Sequence, residues 1–233
     1  ACVIQSNRAE PMSRIDTAVL AGCRTAFSRS GSVFADISAI ELGKVAVRDA
    51  LARSGVGGDR VDHLVYGTVV HNTQAPNIAR EIGLGVLPKD IPAVTVSRAC
   101  TSANQAITDA VQMIELGQAD VVVAGGAESL SRIPITVSER MSKRLVAASK
   151  GKTLGQRLTP FRSLRPRDLI PVQPAIAERS TGETMGASAE RMAKENGITR
   201  EDQDAWALRS HERAAVGTED GRLTAEIAPV YVL

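Results

Sequence analysis

Between residues 16 and 126 the chain alternates between short β-branched runs and longer stretches of helical spacing, and this alternation is its tightest constraint on fold. "TAVLAGCR" (17–24) reads as a buried strand. "DISAIELGKVAVRDALARSG" (36–55) reads as a helix, capped by Asp36 or Ser38 and stopped by Gly55, with Ile37, Ile40, Val45, Val47 and Leu51 near helical spacing. "VDHLVYGTVV" (61–70) is strand-like, "PNIAREIGLGV" (76–86) opens with proline at a helix start, and "AVTVS" (93–97) is a strand. A helix from Cys100 to Leu116 ends at Gly117, and "ADVVVAGGAES" (119–129) is a strand running into a glycine loop. Strand–helix alternation of this kind predicts a layered α/β/α domain with a mostly parallel sheet over residues 1–130.

After Ser131 the pattern changes. Between Ser138 and Arg167 there are nine Lys/Arg against Glu139, a local charge of +8, while the whole chain carries +2. "ERMSKRLVAASK" can form a basic amphipathic helix with Met141, Leu145 and Ala148 on one side. Pro160, Pro166, Pro171 and Pro174 then interrupt the chain. Two helices follow, around Met185–Glu195 and from Arg200 to about Ala215, with Thr199 and Asp202 placed as a capping box. The expectation is an inserted domain over 131–228, containing the basic excursion 138–167, and a strand at 229–233 returning to the core. Ending on a strand without a following partner reads as a fold with a further part outside these residues.

Composition excludes several classes. Aromatics are 3% of residues, so there are no stacking platforms for single-stranded nucleic acid, and a net charge of +2 gives no reason to expect a nucleic-acid partner. No apolar run approaches the roughly 20 residues of a membrane span. Cys2, Cys23 and Cys100 are far apart, with no CxxC or HxxH spacing, which predicts neither a metal site nor a disulfide framework. A reducing compartment, cytoplasm or mitochondrial matrix, is expected rather than secretion.

Cys100 lies where a strand hands over to a helix. Helix N-termini present unpaired N–H groups and the positive end of the macrodipole, and cysteines so placed titrate at about 3.5–7.5 rather than about 8.5. The small neighbours Ala99, Thr101, Ser102 and Ala103 allow close approach of a substrate. Local pattern leaves two readings open, a nucleophile or an inert core thiol. Cys23 ends a strand and Cys2 lies in a tail, with no catalytic role expected. His63, His71 and His211 read as structural or solvated.

"VSRACTSANQAI" followed by "QADVVVAGGAESLSRIP" resembles the active-site cysteine signature and following strand of the thiolases. "CRTAFSRSGSVFADISAIELGKVAVRDAL" is similar to the first strand, loop and helix of that family, with Ala26 where many members have proline. "NIAREIGLGVLPKDIPAVTVSRAC" is similar to the run into the nucleophile, and "ETMGASAERMAKENGITREDQDAWALRSHERAA" with "EIAPV" to the loop domain and its return. The basic excursion, with "GKTLGQRL" and "ERSTGETMG", is most similar to the thiolase subunit of trifunctional fatty-acid oxidation complexes.

The resemblance implies a thiolase fold, N-terminal half plus loop domain, and an acyl-CoA acyltransferase acting through an acyl-cysteine. Cys100 would accept the acyl group, its own amide helping to form the oxyanion hole. Met185 would lie near the acyl/pantetheine tunnel, with Thr184 where many members have histidine. Coenzyme A enters as co-substrate, and no cofactor is implied. A homodimer or homotetramer is implied, as is a hydratase/dehydrogenase partner subunit or a membrane surface against 138–167. The family's activating histidine (GHP), second cysteine (C-x-GGG) and NEAF-type residue belong to its C-terminal half and do not occur in 1–233, so the resemblance implies an incomplete catalyst. Two other readings remain open: a non-catalytic, thiolase-like CoA-binding or scaffolding subunit, and another condensing enzyme of the superfamily.

Overall fold

The computed structural model describes residues 1–7, 16–172 and 177–232. They divide into two compact units, Ala1–Pro134 with Ala214–Leu233, and Ile135–Arg213. The second is shorter than the 131–228 expected, because residues 214–228 fold with the first. There β7 (Ile227–Ala228) pairs in parallel with β3 (Arg24–Thr25), and Arg24 forms a 2.7 Å ion pair with Glu226. The returning strand is therefore Ile227–Ala228, ahead of the predicted 229–233.

The first unit is built on a five-stranded sheet in the order β2-β1-β6-β4-β5, comprising β1 (Cys2–Asn7), β2 (Asp16–Gly22), β4 (His63–Gly67), β5 (Ala93–Val96) and β6 (Val121–Gly126). β4, β5 and β6 are parallel, whereas β1 runs antiparallel to both β6 and β2. Helices α1 (Ala39–Ser54) and α2 (Ile78–Val86) cover one face, and α3 (Ser102–Glu115) covers the other. Alternation along the strands feeds both layers. Val3, Leu64, Tyr66, Val121 and Val123 pack toward α1 and α2, while Ile4, Val65, Val122 and Ala124 pack toward α3. Two apolar faces explain why these strands read as continuous hydrophobic runs. On α3 the buried row is Ser102, Ala106, Ala110 and Ile114, an i+4 ladder whose small residues let the helix approach the sheet closely.

Cys2 does not lie in a tail. It begins β1, which inserts between β2 and β6 and buries Val3 and Ile4 completely. The segment 17–24, expected as one buried strand, is displaced to the sheet edge as β2, with Val19 64% exposed. The edge is exposed because β1 takes the slot beside β6.

Helix boundaries follow local chemistry. For α1 the cap is Ser38, whose hydroxyl accepts the Glu41 N–H at 3.2 Å, and Gly55 ends the helix at φ +69°. In α2 the cap is Asn77 rather than Pro76, which stands one residue earlier. β4 stops at Gly67, so His71 lies in the following loop.

In the second unit, α4 (Glu139–Ser149) and α5 (Leu154–Leu158) precede short 3₁₀ turns, α6 (Met185–Glu195) and the start of α7 (Arg200–Glu219). Thr199 and Asp202 cap α7 reciprocally at 3.1 and 3.3 Å. Asp168 is buried amid the basic excursion. It accepts the Arg165 N–H at 3.0 Å and faces Arg140 at 3.8 Å. That backbone hydrogen bond, followed by the nearby guanidinium groups, holds its carboxyl below the usual aspartate value. No helix among the described residues is long and apolar enough to cross a membrane.

Candidate active site

The chain leaves β4 over α2 to reach β5, then returns past β4 under α3 to β6. The β5–α3 connection, residues 97–101, is where the path changes faces at the carboxyl ends of the parallel strands. In open α/β sheets that is where reactive groups and ligands gather. Cys100 lies in this connection.

Several contacts shape the turn. Ala99 has φ +47°, the one positive value at a non-glycine described residue. A left-handed L-residue costs roughly 1–2 kcal/mol, so surrounding contacts must hold it. The Thr101 N–H donates to the Arg98 carbonyl at 3.2 Å and the Ser102 N–H to the Ala99 carbonyl at 3.1 Å. The Ser102 hydroxyl accepts from the Arg98 N–H at 2.8 Å and donates to the Ala99 carbonyl at 2.6 Å. The two amides that follow Cys100 are therefore committed to the turn.

α3 begins at Ser102, two residues later than the sequence suggests, with Thr101 in the cap position. Cys100 thus precedes the helix rather than opening it, and it is exposed, which is not how an inert core thiol sits. The other two thiols are less available. Cys23 is buried, with Sγ donating to the Ala46 carbonyl at 3.1 Å, and Cys2 is half-buried. Burial pushes both of their thiols up.

Two glycines form the floor beneath the turn. A Cβ on Gly67 would lie 2.6–2.8 Å from backbone atoms of Ser102 and Ala103, and one on Gly126 would lie 2.9 Å from the Ala103 side chain. Both positions end strands, and their lack of a side chain lets α3 seat directly on the sheet. Glu128 ties the neighbouring loop down. Its carboxylate accepts the N–H groups of Val69 at 2.8 Å and Val70 at 3.1 Å. The glycines closing apolar strands were a readable signal of close backbone approach. The pairings made by Ser102 and Glu128 carried none.

Cavities open among the described residues of this unit. One of about 310 Å³ is lined by Thr68, Asn72, Glu128 and Arg132 among others, and one of about 380 Å³ by Arg24, Phe27, Phe34 and Leu42 among others; Cys100 lines neither. Met185 belongs to the second unit, as the first residue of α6, and is 60% exposed. Thr184 caps that helix, its hydroxyl accepting the Ala187 N–H at 3.2 Å. Among the described residues no group of three or more His, Cys, Asp or Glu is placed to hold a metal ion.

Residues 17–233 match the family model for the thiolase N-terminal domain. The chain belongs to the thiolase family. A 3-ketoacyl-CoA thiolase from Klebsiella pneumoniae is 48% identical over 92% of the chain, and one from Yersinia pestis is 46% identical over the same share. The chain spans about half the length of the curated relatives it matches, 49% in both cases. Among solved structures, a thiolase from Ascaris suum in complex with coenzyme A is 25% identical, with a TM-score of 0.76 over 97% of this chain and 52% of that one. Human mitochondrial 3-ketoacyl-CoA thiolase in complex with CoA is 26% identical, with a TM-score of 0.73 over 98% of this chain and 51% of that one. The thiolase fold of the chain, its N-terminal half with an inserted unit, is thus established by sequence and by structure.

Proposed function

We propose that the chain is the nucleophile-bearing portion of a 3-ketoacyl-CoA thiolase, with Cys100 as the acyl acceptor. The observation that carries this is an exposed cysteine on a constrained turn, at the carboxyl ends of parallel strands, in a chain of this family. In the reaction, the Cys100 thiolate adds to the C3 carbonyl of a 3-ketoacyl-CoA. The resulting alkoxide, held by the turn amide, collapses with cleavage of the C2–C3 bond. Acetyl-CoA departs after protonation at C2, and a second CoA thiolate takes the acyl group from sulfur, restoring Cys100. The proton transfers need a positioned base and acid, and a misplaced or absent partner of this kind costs about 10²–10⁴-fold. The family resemblance assigns those groups to a histidine and a second cysteine of the C-terminal half, and the chain's own histidines read as structural or solvated.

Met185 fits a role against the acyl/pantetheine portion of the substrate. The free thiols fit a reducing compartment, cytoplasm or mitochondrial matrix. A homodimer or homotetramer, and a partner subunit or anionic membrane surface against the basic stretch 138–167, belong to the same reading.

The test is alkylation of the native chain by iodoacetamide, each thiol's rate normalised to that in denatured chain. Cys100 is expected to react faster than Cys2 and Cys23 and to be slowed by acetoacetyl-CoA. Equal normalised rates without protection would remove the nucleophile assignment.

A further inference from the structure

We propose that Ser102 is a positioning residue for Cys100, its hydroxyl clamping the turn that presents the thiol. This rests on the reading of Cys100 as nucleophile. Ser102 is the first residue of α3 and is buried, 3% exposed. A serine in the cap position turns its oxygen toward the helix's own free N–H groups, but Ser102 stands one residue past the cap. Here the oxygen points the other way. It accepts from the Arg98 N–H and donates to the Ala99 carbonyl, bracing the two residues that precede Cys100. Thr101, in the cap position, makes no side-chain cap bond either; its hydroxyl donates back to the Arg98 carbonyl at 2.9 Å. Both hydroxyls that follow Cys100 are thus committed to the turn rather than to the helix.

What they hold is the backbone of Ala99 at φ +47°. Such a conformation persists only where its surroundings over-determine it. Ser102 can do this because it is fixed in turn: its carbonyl group and the Ala103 nitrogen rest on Gly67, with no room for a side chain between. The sequence of support runs from the β4 strand end, through the Ser102 backbone, to the Ser102 hydroxyl, and from there to the two residues before the nucleophile. Without the hydroxyl, the Arg98 N–H loses its acceptor and the Ala99 carbonyl keeps only the Ser102 N–H, which loosens the hold on the positive φ of Ala99 and on the placement of the Cys100 amide and thiol.

The experiment compares Ser102→Ala with Val47→Ala, a destabilising control in the opposite layer, where Val47 is fully buried on α1. Iodoacetamide alkylation of Cys100 is followed well below the melting temperature of each variant. Ser102→Ala is expected to slow it about three- to tenfold toward the rate in denatured chain, since small misplacements of a reactive group are costly. Val47→Ala is expected to leave it within about twofold, because losing a core methyl pair lowers stability without moving the turn. A Cys100 rate in Ser102→Ala that matches Val47→Ala would overturn the proposal while leaving the nucleophile reading intact. Equal alkylation of all three thiols in the unsubstituted chain would overturn both. Should Ser102→Ala not fold, amide hydrogen exchange in the unsubstituted chain decides: the Arg98 N–H is expected to exchange slowly, and exchange at the rate of exposed loop amides would overturn the clamp.

Discussion

Replacing Gly67 by alanine tests the packing that seats α3 on the sheet. The new Cβ would lie 2.6 Å from the carbonyl carbon of Ser102, 2.7 Å from its oxygen and 2.8 Å from the nitrogen of Ala103, where ordinary contact begins at 3.4 Å. The obstructing atoms are backbone, so no rotamer change relieves the clash; the start of α3 must lift by about 0.8 Å or β4 must bend. Overpacking of a core costs typically about 1–3 kcal/mol. Backbone on both sides puts this case at the upper end, about 3 kcal/mol, which in a chain of this size lowers the melting temperature by about 6–12 °C. The same displacement carries Ser102 and the turn before it, so Cys100 alkylation should change with stability. Calorimetry and alkylation kinetics read the two effects. Gly22→Ala is the control, since its nearest contacts are an ordinary 3.8 Å. If Gly67→Ala melts within about 2 °C of Gly22→Ala and alkylates at the same rate, the close seating of α3 on β4 is refuted.

Ile4→Ala tests whether the N-terminal segment is a core strand. A fully buried isoleucine is expected to cost about 2–5 kcal/mol, read as a lower denaturation midpoint, whereas a loss under about 0.5 kcal/mol would return residues 2–7 to the tail that sequence reading assigns. Asp168 predicts an acid dependence of the second unit. Its carboxyl is held low in the folded state, so its contribution is present above the ordinary aspartate value of about 4 and is lost as pH falls through the folded value. Thermal melts from pH 7 downward should show this in the unsubstituted chain and a flatter profile in Asp168→Asn; identical profiles would refute it.

What was legible in the sequence is what lies within a few residues of itself. Gly55 stopping α1 and the Thr199–Asp202 box close between near neighbours and were readable before any tertiary contact was known, whereas the cap of α1 was narrowed only to Asp36 or Ser38. The β-branched stretches within 61–70 and 119–129 announced strands for the same reason. Cys100 was legible as a thiol between strand and helix, and the ordered motifs around it pointed to the thiolases.

Tertiary structure alone decided the rest. Nothing in "CVIQSN" distinguishes a tail from a strand, because its stability comes from pairing with residues 16–22 on one side and 121–124 on the other. Nor does anything in "CTSAN" show that the serine turns away from its helix. That orientation follows from Gly67, 35 positions earlier, whose missing side chain brings β4 against the Ser102 backbone. The sequence by itself determined most of the helices and the parallel strands, and that a cysteine stands at a strand–helix junction, since propensity and capping act over a few residues. The order of the strands, the exposure of Cys100 and the bracing of its turn arise from backbone contacts between remote segments, and those exist only once the sheet and α3 have closed on one another.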